Sequence, residues 1–373
     1  MIPVAVPSSL RINGQWIGAL FGEAQGTGVL DLEEDNGLIT GTAYLYPHDL
    51  QIVPAAVRFS FAPPLGTHQF ADVPVLPFSP DLGAVITREQ MVTLYPMSNV
   101  SDSANLSLTF NGDGVFVSFD TPMASGFGNL IRGHTKPSGL APLAMSWGEY
   151  RAQVPTRQKK RFVYRGQAEP WRLRTSFHRT WRKNLDTYTS TLVRETHKAL
   201  VGHLKTPLDF TKPDDVGAFY NTIQHHGYPT PLLDWTASPY VAAFFAFENA
   251  KPDPGTTVRI FAFDRTAWTA LRQQNQLSMT RPHLSFVDLL PVGNPRAGPQ
   301  QSEFTLTNVD DIENHVVAVE HAMNTRYLQA IDIPTSERDE VLADLDLMGL
   351  NHATLFPGLD GTCRSMRLKH FGC

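Results

Sequence analysis

The pair Asn36-Gly37 constrains the first third of the chain more than any other local feature. Asn-Gly adopts the left-handed backbone that a two-residue hairpin turn requires. Gly28–Leu32 and Leu38–Tyr46, on either side of Glu33-Glu34-Asp35-Asn36-Gly37, must then lie antiparallel. A second hairpin is written around Asn111-Gly112-Asp113-Gly114, between the alternating runs Leu106–Phe110 and Val115–Phe119. Trp16–Phe21 adds a further short run set off by Gly-rich turns, and Val57–Phe61 alternates apolar and polar. Residues 1–135 therefore predict an all-β domain, a small barrel or sandwich. This stretch shows no acid pair, no histidine cluster and no phosphate loop, so its expected role is sensing, binding or recruitment.

The length of 373 residues allows one large domain or two ordinary ones. The pattern changes near Thr135-Lys136-Pro137-Ser138-Gly139, which reads as a linker. From residue 145 to 373 helical and strand patterns alternate, so the whole chain is α+β. Ser146 and Glu149 form a capping box for a helix Trp147–Gln153. Phe162–Gln167 and Val258–Phe263 read as strands. Thr187–Leu204 and Val216–Gln224 read as helices, and Ala330–Pro334 as a strand stopped by proline. Ser336 is expected to cap a last amphipathic helix that runs to Met348 and stops at Gly349.

A net charge of −5 supplies no general attraction to nucleic acid or membranes. The two cysteines, Cys363 and Cys373, build neither a disulfide framework nor a zinc site. Met1-Ile2-Pro3-Val4 lacks the basic region and apolar run of a signal peptide, and no stretch approaches a membrane span. The expected location is the cytoplasm.

The run Gln224–Pro239 gathers two histidines, an acid, a tryptophan, hydroxyls and three prolines. It reads as a loop that ends in a buried helix, Pro239–Glu248, with Ser238 as N-cap and Pro239 at the first helical position. Arg165, on an apolar strand between Tyr164 and Gly166, is the first candidate site residue. A guanidinium there needs an anion, which would be a phosphate or pyrophosphate of a ligand, or a structural partner such as Asp234 or Glu169. Gly166 would let a ligand approach the backbone. His225 and His226 offer an acid/base group or a hydroxyl contact, with packing as the alternative. Asp234 is read as orienting the loop. In an extended Gln300–Phe304, Gln301 and Glu303 would point to one side, and Glu303 could stabilise a cationic sugar. An edge strand in solvent is the alternative there. Glu320 is the reserve carboxylate. Arg157–Arg161 reads as a basic turn.

These pieces together resemble the FRG domain family, named for its Phe/Tyr-Arg-Gly motif. The resemblance rests on Val163-Tyr164-Arg165-Gly166-Gln167, Leu173–Arg179, Gln224–Thr236 with Ser238-Pro239, Asn294–Ala297 with Gln300–Phe304, and Thr354–Gly361. It covers about residues 145 to 365; no family is recognised in residues 1–135. The resemblance implies a layout like that of ADP-ribosyltransferases, with NAD as substrate. Carried over by position, Arg165 with Tyr164, Gly166 and Gln167 would hold the NAD phosphates. Thr236 and Ser238 would take the nicotinamide ribose, with Ala237 where a hydroxyl would sit. Trp235 or Tyr164 would stack on a ring, His225 or His226 would assist, and Glu303 would be the catalytic carboxylate. The implied activity is ADP-ribosyl transfer to a protein or nucleic acid acceptor, or NAD hydrolysis, in a toxin or antiphage defence role. A non-catalytic nucleotide-binding module and a His/Asp hydrolase or nuclease are the rival readings.

Overall fold

The computed structural model describes residues 13–64, 66–133, 137–157, 160–180, 185–204, 206–271, 274 and 281–371. Thr135 and Lys136 of the expected linker, two residues of the basic turn, and Cys373 lie outside them.

The first third is antiparallel β. Its strands are β1 (Gly14–Gly22), β2 (Gly26–Asp35), β3 (Leu38–Pro47), β4 (Ala55–Phe61), β5 (Thr67–Pro74), β6 (Leu76–Ser79), β7 (Ala84–Val85), β8 (Ser103–Asn111), β9 (Gly114–Asp120) and β10 (Ser125–Arg132). One short helix, α1 (Arg88–Leu94), interrupts them. The sheet order is β5-β8-β9-β10-β1-β2-β3-β4-β6-β7. The β2–β3 hairpin turns at Asn36 and Gly37 with φ of 52° and 80°, as the sequence demands. The sheet curls until β4 and β5 meet through their side chains, with the Phe59 and Phe70 ring centroids 4.7 Å apart. Trp16, Leu30, Leu32, Leu106, Leu108 and Val117 fill the interior. The all-β unit expected as a barrel or sandwich is one large, curled antiparallel sheet, with an α+β unit behind it.

That second unit is built on a sheet of β11 (Pro142–Ala144), β12 (Phe162–Gln167), β13 (Leu232–Thr236), β14 (Thr257–Asp264), β15 (Leu284–Val287), β16 (Ser302–Thr307) and β17 (Leu328–Pro334). The order is β11-β17-β14-β12-β13-β16-β15, antiparallel except for β11 beside β17. Its helices are α2 (Trp147–Gln153), α3 (Ser176–Arg179), α4 (Leu185–Thr187), α5 (Val193–Leu200), α6 (Pro213–His225), α7 (Pro239–Phe247), α8 (Arg265–Leu271), α9 (Ala297–Gln300), α10 (Ile312–Met323), α11 (Arg338–Leu347), α12 (His352–Leu355) and α13 (Leu359–Phe371). α2, α7 and α11 cover one face of the sheet, where Trp147, Val241, Phe244 and Val341 meet Ile260 and Ile331. α8 and α10 cover the other, where Trp268 and Val316 meet Phe261, Phe263 and Trp235. Central strands buried on both faces read as continuous apolar runs, and β14 does so from Ile260 to Phe263.

Several local expectations need correction. Ser336 lies in a 3₁₀ turn, Thr335–Glu337, and α11 starts behind it with no side-chain cap. The long helix expected over Thr187–Leu204 is broken into α4, a π-turn at Tyr188–Leu192, α5 and a 3₁₀ turn. Arg172 and Arg174, just after Trp171, are structural. Arg172 pairs with Asp311 and Arg174 with Asp310, both buried. Arg161 pairs with Asp264.

The two units touch through polar contacts. Gln15 Nε2 donates to the Asn308 carbonyl, and its Oε1 accepts from the Asp310 N–H, each at 2.9 Å. Arg281 donates to the Pro47 carbonyl and stacks over Tyr46.

Candidate functional site

The stretch Gln224–Pro239 holds a strand as well as a loop. α6 starts on Pro213, carries Asp214 and Asp215 in its first turn where they favour the dipole, and ends at His225. Gly227, with φ of +84°, turns the chain. β13 follows because Leu232, Leu233 and Trp235 are all buried and its backbone pairs with β16. Ser238 then accepts the Val241 N–H and caps α7, as expected.

β12 and β13 are neighbours only at Tyr164 and Thr236. Beyond that pair β12 continues along β14, while β13 follows β16. Arg165 stands where they part. Its Nη1 donates to the main-chain carbonyl of Asp234 at 2.7 Å. Its Nε is shut off from solvent and has no hydrogen-bond partner. Among the described residues no carboxylate pairs with it, so neither Asp234 nor Glu169 is its structural counter-ion. Burial, and next the field of Arg179, press its pKa down to about 10 against the pull of Asp234. Arg179, which lies close by, is itself pushed down by burial and by Arg174.

The parted strands open a cleft of about 350 Å³. Arg165, Gln224, His225, Asp234 and Arg296 line it on the polar side, and Phe245, Phe304 and Phe356 on the apolar side. A second lobe of about 190 Å³ shares Arg165, Gln224 and Asp234 and adds Ser176, Arg179 and Tyr228. Gln224 is held by Thr230, which donates to its Oε1, and its amide donates to Asp234 Oδ1. Arg296 lies over the Phe356 ring, 5.1 Å from its centroid. His225 is pushed below its usual pKa by burial first and then by Arg296 and His226, against the pull of Asp234. Three guanidiniums against one carboxylate, Asp234, make the two lobes a site for an anion.

The sequence candidates divide. Tyr164, Arg165, Gly166, His225, Trp235 and Thr236 line the cleft. Gln167, His226, Ser238 and Glu303 do not. Gln167 is buried and donates to the Trp171 carbonyl. His226 caps the end of α6 in solvent. Glu303 alternates with Ser302 and Phe304, which face the cleft, and it pairs instead with Arg265 of α8 at 2.7 Å. Gln301 has left-handed backbone, φ 47°, so Gln301 and Glu303 do not share an extended strand. Glu320 is spent on the N–H groups of Tyr327 and Leu328.

Roles shift within the cleft as well. The Thr236 hydroxyl donates to the Gln300 carbonyl and accepts the Ser238 N–H. The Trp235 indole is buried and donates to Thr305, and Tyr164 packs in the core under α7, so neither ring is free to stack on a ligand. Gly166 admits a helix: a Cβ there would lie 1.8 Å from the Ala242 carbonyl oxygen. Asn221, Arg296, Phe245 and Phe356 were not singled out by sequence. The Asn294-Pro295-Arg296 turn and Phe356-Pro357-Gly358 were their only signals. Among the described residues no three His, Cys, Asp or Glu side chains gather as metal donors.

The FRG domain family matches residues 160–254. The chain carries an FRG domain. The match starts just before β12 and ends past α7, so it contains Arg165, α6 and β13. The FRG domain thus supplies the parted strands, while Asn294, Arg296 and Phe356 close the cleft from outside the matched segment. No curated protein and no solved structure matches the chain.

Proposed function

We propose that the FRG domain cleft binds NAD and breaks its ribose–nicotinamide bond, transferring ADP-ribose to a macromolecule or to water. One observation carries the reading: Arg165 stands half-buried at the strand split with its Nε shut off from solvent and unpartnered, and Arg179 and Arg296 are nearby. Such a cluster is stabilised by a pyrophosphate, which guanidinium groups meet with paired hydrogen bonds. The Phe245 and Phe356 wall suits a flat ring. In the reaction the C–N bond breaks, its electrons leave with nicotinamide, and the ribose carbon becomes cationic. Asp234, the cleft's carboxylate, stabilises that carbon until an acceptor attacks it and loses a proton. A toxin or phage-defence effector role follows from NAD consumption or from modification of a protein or nucleic acid acceptor.

A second reading, a nucleotide-binding module without catalysis, is favoured by one observation. Glu303, the position that the ADP-ribosyltransferase layout assigns to catalysis, is turned to Arg265. Calorimetric titration of NAD into the purified chain, with nicotinamide release followed in parallel and cell extract added, separates the two. Binding with release, both lost in Arg165→Ala, supports the enzyme. Binding without release supports the module. The absence of binding defeats both.

A further inference from the structure

The barrel is packed at one end and hollow at the other. Trp16, Phe59, Phe61, Phe70 and Phe110 fill one half with rings. The ladders bring small residues together in the other half. Gly28 lies opposite Leu45, Leu45 opposite Ala55, and Ala43 opposite Leu30 and Val57. Ala104 faces the same space. The outcome is a cavity of about 250 Å³ walled by Leu20, Leu45, Leu106, Val117, Phe119 and Leu130. An engineered apolar cavity of about 150 Å³ stays dry and takes up benzene, so a larger body fits here.

Glu23, Gln25, Asn99, Ser101 and Thr121 are the polar members of the cavity's lining, and one of them stands apart. The Ser101 hydroxyl lines it, is shut off from solvent and has no hydrogen-bond partner. Its backbone is fixed from outside, since Arg88 of α1 donates to the carbonyls of Val100 and Ser101 and pairs with Asp102. Buried polar groups are normally paired, and one left single inside an apolar cavity marks a missing partner. Ile52 and Met123, about half exposed, line the entrance.

We propose that the N-terminal barrel binds a small amphiphile, its apolar body in the cavity and its single hydrogen-bonding head on Ser101. The proposal is independent of the reading of the FRG cleft. The test uses the full chain with labelled Leu and Val methyl groups, titrated with 1-decanol and with naphthalene. Both probes should give saturable shifts centred on Leu20, Leu106 and Val117. Ala104→Phe, which fills the hollow half, should abolish them, and Ala43→Leu should do the same. Ser101→Ala should weaken decanol about fivefold, the worth of one neutral hydrogen bond, and leave naphthalene unchanged. Absent, non-saturable or dispersed shifts in the wild type overturn the proposal even if a filled variant fails to fold. Equal decanol affinity in Ser101→Ala overturns the head-group assignment.

Discussion

Arg165 donates to the main-chain carbonyl of Asp234, and the Asp234 carboxylate is left to Gln224. A guanidinium and a carboxylate on adjacent strands thus share a cleft without neutralising each other. The carbonyl orients the arginine, the amide orients the acid, and both charges stay available to a ligand. An ion pair between them would have closed the site.

That arrangement predicts a split between two conservative variants. Asp234→Asn keeps the shape, removes the cleft's carboxylate and should lower nicotinamide release by orders of magnitude, since charge stabilisation acts mainly at the transition state. Glu303→Gln should leave turnover nearly intact and lower stability by no more than about 1 kcal/mol, because its half-exposed pair with Arg265 is weak. Steady-state release rates and urea titrations of both variants check this. The reverse ranking would restore Glu303 as the catalytic acid.

Gly166→Ala should cost about 3 kcal/mol or more, the upper range for overpacking. The new methyl would meet the Ala242 carbonyl and the Ala246 N–H, which are helix backbone and cannot swing aside. A urea midpoint unchanged from wild type would mean that α7 can shift away from β12 at little cost.

His352 should make the fold acid-sensitive. Burial, then Arg364 and Arg367, lower its pKa to about 4. It packs between Phe244 and Phe356. The unfolded chain therefore binds this proton more readily than the folded one. Its contribution is complete above about pH 6.5 and is lost as pH falls through about 4. His352→Gln should flatten the fall in melting temperature between those values. A slope equal to wild type would assign the acid sensitivity to other groups.

The barrel should fold by itself. Its core is its own, and its described hydrogen bonds to the α+β unit are few: the two of Gln15 and that of Arg281. Residues 1–135 expressed alone should melt cooperatively. A fragment that stays insoluble unless residues 137–373 are supplied would mean that the two units share one core.

Elements with a local cause were legible in the sequence. Asn36-Gly37 dictates its hairpin, Ser146 and Glu149 cap α2, and Ser238-Pro239 starts α7, because each depends on backbone geometry within a few residues. Arg165 was legible too, since a guanidinium in an apolar strand is conspicuous wherever the strand lies. Tertiary structure decided the rest. Which way Glu303 faces depends on the left-handed turn at Gln301 and on Arg265 of α8, distant in sequence. Whether Gly166 serves a ligand or a helix depends on where α7 lands. Trp235 and Thr236 lost their expected roles once β16 and the end of α9 closed on β13, Thr305 taking the indole and the Gln300 carbonyl the hydroxyl. The cleft itself exists because β12 and β13 part after a single pair, and strand pairing at that range is set by packing, not by local sequence.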